Sequence, residues 1–148
     1  LFRRGADTHT LILGFIMYAW RGNRSVNHTE KPWGKETCWF APWGTKGKII
    51  EIDQGHRTSL KYYPLKNECL YCIKGKVKVL VKTDSDEFCD RREGEYGVFD
   101  IGEGEVILVM AGMPYRFEAV DDKCVLFEVV SGDSGSKAVM LEDDYGRL

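Results

Sequence analysis

The segment Lys76 to Lys82, Lys-Val-Lys-Val-Leu-Val-Lys, puts a valine at every second position. A period of two belongs to a strand with one face buried, so Val77, Val79 and Val81 are expected in a core and the lysines in water. Similar short runs recur at Glu36 to Phe40, Lys48 to Asp53, Thr58 to Tyr63 and Glu68 to Ile73, and again at Gly97 to Ile101, Val106 to Met110, Tyr115 to Val120 and Lys123 to Val130. Turns bearing glycine or proline separate them, and no stretch before the tail carries a convincing helical period. Many short strands of this kind predict an all-β sandwich or barrel. Alternation adds Phe117 and Phe127 to the inward-facing candidates. Met140 to Leu148 reads as a helical turn or as a strip along the surface.

At 148 residues the chain is long enough for one domain to bury a core without disulfides or a structural metal. Its net charge of -2 comes with no basic stripe, so neither nucleic acid nor a membrane is expected as a partner. Five cysteines, scattered at 38, 69, 72, 89 and 124, argue against a disulfide framework and for a reducing, cytoplasmic setting. Cys69 and Cys72 fall in one strand at an offset that sends their thiols to opposite faces. Residues 1–30 differ from the rest. Leu11 to Trp20, LILGFIMYAW, is apolar throughout but too short to span a bilayer. We read 1–30 as an extension that adds a strand, exchanges with a second subunit or is partly disordered, and 31–148 as a single domain. An exposed apolar strand favours pairing with another chain, so a homodimer is expected. Asp84 to Glu95 is charged and aperiodic, as a solvated loop would be.

The stretch Gln54 to Gly75 organises the rest. Gly55, Lys61, Tyr63, Glu68 and Gly75 stand at the spacing glycine, five residues, His-x-His, four residues, Glu, six residues, glycine, which is the first motif of the cupin barrels. Gly104, Met110, Ala111-Gly112, Met113-Pro114, Tyr115 and Ala119 fall on the spacing of the second motif, with Tyr115 at its histidine and Ala119 at its asparagine. The chain therefore resembles the cupins, and the resemblance implies an antiparallel jelly-roll barrel. Lys31-Pro-Trp-Gly34, the run from Gly55 to Leu60, GEGEVILVMAGMPYRFE and the terminal LEDDYGR are further similar to the cupin domain of the type II mannose-6-phosphate isomerases, over roughly Lys31 to Arg147. In that family the metal set is Gln, His, Glu and His, which by position falls on Lys61, Tyr63, Glu68 and Tyr115.

Only Glu68 keeps an ordinary ligand at its position, so no metal and no cofactor is expected. A protonated lysine repels a cation, whereas without one it can pair with Glu68 and bond both tyrosine hydroxyls. Lys61 is therefore expected to replace the charge of the metal. Two other readings stay open: Lys61 reaches the barrel mouth while the tyrosines fill volume, or Glu68 and tyrosine oxygen hold a metal in an irregular site. By strand parity Arg57 and Ser59 share a face with Lys61 and Tyr63. The expected ligand-binding set is thus Arg57, Ser59, Lys61, Tyr63, Glu68 and Tyr115, with the Arg57 fork gripping phosphate or carboxylate. Lys66 and Arg116 are placed at the pocket mouth, and Asp143, Asp144 and Arg147 in a tail clamp. Three functions compete. One is a metal-free cupin that binds a sugar or sugar phosphate. Another is an isomerase or epimerase with Lys61, Tyr63 or Tyr115 as acid or base, a tyrosine pKa being drawn toward neutrality by the lysine. The third is a structural, dimeric module.

Overall fold

The computed structural model describes residues 26–40, 46–83 and 94–148. These residues form eleven strands: β1 (Val26–Lys31), β2 (Gly34–Phe40), β3 (Lys46–Ile52), β4 (Leu60–Tyr62), β5 (Lys66–Lys74), β6 (Val77–Lys82), β7 (Tyr96–Ile101), β8 (Val106–Val109), β9 (Tyr115–Glu118), β10 (Cys124–Gly132) and β11 (Val139–Glu142). Two antiparallel sheets result, one of six strands in the order β1-β2-β3-β10-β5-β8 and one of five in the order β11-β4-β9-β6-β7. This is the all-β jelly roll that the sequence predicts. Strand β10 lies between β3 and β5, so the end of the domain locks two strands from its beginning.

The alternation that marks each strand sorts its side chains. Val77, Val79 and Phe117 of the five-stranded sheet meet Ile50, Leu70 and Leu126 of the six-stranded one, all buried in one core. Gly75, between β5 and β6, has a φ of +81°, and a Cβ there would stand 2.7 Å from the Lys123 carbonyl oxygen. Only glycine makes that turn without a clash. Cys72 faces the core and Cys69 points outward, as their offset requires.

Several expectations are corrected. Phe127 does not face inward: β10 turns Cys124, Leu126 and Glu128 to the core, and Phe127 stacks on Trp39 outside, with ring centroids 5.6 Å apart. Lys82, expected in water, is buried. The tail is neither a helical turn nor only a surface strip, because Val139–Glu142 pairs with β4. Strand β1 runs from Val26 across residue 31 and pairs with β2, which leaves the division of the chain into an extension and one domain as it was drawn. The run Leu11 to Trp20 lies outside the described residues, as does most of the charged loop.

Candidate functional site

One end of the barrel interior is charged rather than apolar. Its floor is the inner face of the six-stranded sheet, where Lys48 on β3 stands directly opposite Glu128 on β10. Lys66 and Glu68, two apart on β5, point to the same side. The five-stranded sheet supplies Lys61 and Tyr115, themselves opposite one another across β4 and β9. Tyr63 follows just after β4 and packs against the core. Lys48, Lys66, Glu68, Tyr115 and Glu128 are all buried, while Lys61 and Tyr63 keep partial exposure. The motif spacing thus brings together the four positions it implied, Lys61, Tyr63, Glu68 and Tyr115.

The pairing among them differs from the expected one. Lys66, not Lys61, is the partner of Glu68, with Nζ 2.7 Å from Oε1, and it lies at the centre of the site rather than at its mouth. The same ammonium is 3.8 Å from Glu128 and sits 3.4 Å from the centroid of the Tyr63 ring, a desolvated cation-π contact. Lys48 bridges Glu36 and Glu128 at 3.5 Å each. Lys61 has no carboxylate within ion-pair distance among the described residues; its Nζ lies 5.4 Å and 5.8 Å from the centroids of Tyr63 and Tyr115. The Lys66 approach to Glu68 is off the hydrogen-bond direction and the Tyr115 hydroxyl interacts with the Glu68 carboxylate, so Glu128 Oε1 and one Glu68 oxygen are buried with no directed donor among the described residues. Lys48 and Lys66 thus link Glu36, Glu68 and Glu128 in one network, with the Lys61 amine beside it and carboxylate oxygens of Glu68 and Glu128 with capacity to spare.

The electrostatics follow from this arrangement. Burial opposes the Lys48 charge, but Glu128 and Glu36 outweigh it and hold the ammonium above the ordinary lysine range. Burial pushes Lys61 the other way, the Lys48 charge adds to that, and Glu68 does not compensate, so Lys61 lies below the ordinary range. Burial, with repulsion from Glu68, raises the Glu128 carboxyl despite Lys48. Both phenols are pushed up, Tyr63 by burial and Tyr115 well above its usual value by burial and the Glu68 charge. This corrects the expectation of a tyrosine drawn toward neutrality: burial outweighs the lysines at Tyr63 and is joined by the Glu68 charge at Tyr115, so the hydroxyls remain donors.

Arg57 and Ser59 do not line this interior. Arg57 opposes Glu118 and Lys61 opposes Tyr115, so four steps on one strand match three on the other. That one-residue bulge flips the face, and parity counted through it fails. Arg57 points outward with Arg116, Lys78 and Glu118 into a shallow cleft of about 160 Å³ on the outer face of the five-stranded sheet. Arg116, expected at the pocket mouth, is buried there beside Glu142 at 3.4 Å. His56 is exposed, with Nδ1 3.0 Å from the Gln54 carbonyl oxygen.

Arg57 and Ser59 instead hold the tail. The Arg57 guanidinium makes a two-point contact with Asp144, and Ser59 Oγ donates to Asp143 at 2.9 Å. Asp143 also takes the Arg147 guanidinium and accepts from the backbone amides of Tyr145 and Arg147, each at 3.0 Å. Hydrogen bonds from Arg147 hold the Asp143 carboxyl far below the usual range, and those from Arg57 lower Asp144. A carboxyl depressed in the fold contributes fully above its unfolded pKa of about 4 and loses that contribution as pH falls toward the folded value. Acid is therefore expected to release the tail: carboxypeptidase digestion of Leu148 and its neighbours should be slow at pH 6 and fast near pH 3, and Asp143→Asn should digest rapidly at pH 6. Equal digestion rates for the variant and the parent at pH 6 would contradict the clamp.

No protein-family model matches the sequence, and no curated protein matches it. Solved structures do. Oxalate decarboxylase from Bacillus subtilis at pH 4.6 superposes with a TM-score of 0.66 at 17% identity, covering 78% of this chain and 30% of that one. A single-residue variant of the same enzyme gives 0.63 at 21%, with the same coverage. A structure used to assign its Mn(II) centres gives 0.63 at 22%, covering 77% of this chain and 29% of that one. The chain has the cupin jelly-roll fold. It spans less than a third of the length of these enzymes, and likeness at this identity carries the fold alone. The narrower similarity to mannose-6-phosphate isomerases has no counterpart among these structures.

The cupin interior does not suit a divalent cation here. Among the described residues no three His, Cys, Asp or Glu side chains are grouped so as to hold one. Where a cupin metal would sit, Glu68 faces the Lys66 ammonium, and the two phenols resist the ionisation that would make them ligands. The irregular Glu68-tyrosine metal site meets the same obstacle. Among the described residues no helix is long and apolar enough to cross a membrane.

Proposed function

We propose that this cupin binds a small hydroxylated molecule carrying an anionic or carbonyl oxygen, a sugar or sugar phosphate, in the charged end of the barrel and without a metal. The observation that carries the reading is the unmatched hydrogen-bonding capacity of the site. Among the described residues Glu128 Oε1 is a buried acceptor without a directed donor, Glu68 has an oxygen to spare beyond the Tyr115 hydroxyl, and Lys61 has no carboxylate within ion-pair distance. Sugar hydroxyls donate to carboxylates, and a phosphate or carbonyl oxygen accepts from the amine. Of the three lysines Lys61 alone lacks a carboxylate partner among the described residues, so its buried amine is the one left for a ligand oxygen.

A second reading is favoured by the lowered Lys61 pKa. A neutral amine can take a proton from a carbon next to a carbonyl, while a protonated phenol of Tyr63 or Tyr115 donates to the carbonyl oxygen. Return of the proton to the neighbouring carbon, with the phenolate taking back a proton from the hydroxyl on the carbon first deprotonated, completes an isomerisation; protonation of that same carbon from the opposite face by the other phenol, with the first phenolate recovering its proton from the enediol, completes an epimerisation.

Thermal unfolding with mannose 6-phosphate, fructose 6-phosphate, mannose and oxalate tests binding. A ligand at about 100 times its Kd stabilises by about 2.7 kcal/mol, several degrees in Tm for a chain of this size. We expect that shift with the sugar phosphates, none with oxalate, and loss of the shift in Lys61→Met with the unliganded Tm maintained. No shift with any sugar, or a stoichiometric transition metal in the purified protein, rejects the reading. Interconversion of the two phosphates by the parent but not by Lys61→Met would establish the enzyme.

A further inference from the structure

The outer face of the five-stranded sheet carries a cationic cleft, separate from the barrel interior. Register places Val98, Leu80 and Arg116 along one row and Asp100, Lys78, Glu118 and Arg57 along the next. All but Asp100 line the cleft of about 160 Å³. Arg116 is the most deeply buried of them, its side chain 4% exposed. Its terminal nitrogens turn to the Glu142 carboxylate and carbonyl at 3.4 Å and 3.3 Å, and its Nε is buried with no hydrogen-bond partner among the described residues. Arg57 commits Nε and one terminal nitrogen to Asp144, which leaves the other terminal nitrogen to spare. Asp100 takes Lys76 at 3.4 Å, and Lys78 makes no ion pair among the described residues.

We propose that this cleft is a second binding site, for a small molecule whose phosphate or carboxylate lies between Arg116, Arg57 and Lys78 and whose apolar end lies on Leu80 and Val98. A guanidinium taken out of water needs its N–H groups bonded, and an oxyanion supplies the acceptor that Arg116 Nε lacks. Charge agrees. Glu118 is the one carboxylate lining the cleft, and it forms no ion pair with Arg57 or Lys78 among the described residues. Glu142 and Asp144 approach Arg116 from the tail at 3.4 Å and 3.8 Å, but they are 58% and 39% exposed, so water screens them. Burial and the Arg57 charge together hold the Arg116 guanidinium below its ordinary range in spite of these carboxylates. An anion between the two guanidiniums relieves their repulsion. The tail contacts fix both of them before any ligand arrives, which lowers the entropy lost on binding. Val98, 61% exposed and opposite Leu80, extends the row as an apolar shelf. The cleft is smaller than the roughly 300 Å³ at which drug-sized pockets begin, so its occupant is an anionic group with a short apolar end such as a single ring.

Titration of the full chain with phenyl phosphate and with benzoate, followed by amide chemical shifts, tests this. At least one of the two is expected to bind saturably and to move the amides of Lys78, Leu80, Val98 and Arg116, and the tighter one identifies the preferred anion. Benzyl alcohol, which keeps the ring and lacks the charge, should leave those amides in place. Lys78→Gln should weaken binding about tenfold or more, as the loss of one charge-assisted hydrogen bond entails. Lys78 is partly exposed, so the variant should keep the parent's Tm and its amide spectrum elsewhere. Lys61→Met, in the barrel interior, should bind the anion as tightly as the parent does. No saturable shift with either anion overturns the inference. So do equal shifts with benzyl alcohol, an unchanged Kd in Lys78→Gln, or loss of binding in Lys61→Met, which would place the anion in the barrel interior.

Discussion

Replacing Lys66 with methionine is expected to lower the unfolding free energy by about 3–5 kcal/mol, the usual cost of stranding one member of a buried ion pair. The side chain is 1% exposed, and so is its partner Glu68. Removing the ammonium leaves Glu68 beside the equally buried Glu128, two like charges in a medium that screens them poorly. Methionine keeps the volume and the contact with the Tyr63 ring, so the loss reports charge rather than a cavity. Adding Glu68→Gln should recover much of it, because the pair then leaves together. Urea unfolding of the parent, both single variants and the double closes the cycle. A loss below about 1 kcal/mol for Lys66→Met would mean that the network is solvated, and that its unmatched oxygens are served by water.

Gly34→Ala is expected to cost about 3 kcal/mol or more, or to unpair β1 from the sheet. Gly34 has a φ of +142°, and a Cβ there would lie 2.0 Å from the Glu51 carbonyl oxygen. Both partners are backbone, so relief requires moving β3, and a side chain in this region of φ is already strained. Glu36 and Lys48 flank that contact on β2 and β3, so the defect should reach the charged interior. Hydrogen exchange of the Lys35 to Cys38 amides separates local unpairing from global loss. Unchanged exchange and unchanged stability would show that the strands shift freely.

The barrel was legible because spacing and alternation are enforced by strand geometry: a side-chain period of two and short turns bring Lys61, Tyr63, Glu68 and Tyr115 to one place whatever their chemistry. Partners were harder. Lys66 and Glu68 share strand parity, so their meeting could have been read from β5 alone, but a lysine next to proline-bearing sequence looks like a mouth residue. Lys48 and Glu128 meet only through the β3-β10 pairing, which no local pattern reveals. Phe127 misled because the six-stranded sheet is apolar on both faces, so hydrophobicity no longer distinguishes inside from outside. Arg57 and Ser59 misled for a different reason, the extra residue before Lys61.

That extra residue has an evolutionary corollary. A segment of six or so amino acids fastens the carboxyl-terminal tail with its first half and furnishes an interior amine with its second, and a single unpaired position keeps the two duties apart. Deleting Ser59 would remove the unpaired position: three steps would then match three, Arg57 would stay opposite Glu118 and face outward, and the Ser59 hydrogen bonds to Asp143 and Arg147 would be lost. The interior amine of Lys61 and the Arg57 grip on Asp144 would both survive, so the two duties tolerate a shortening of the link between them.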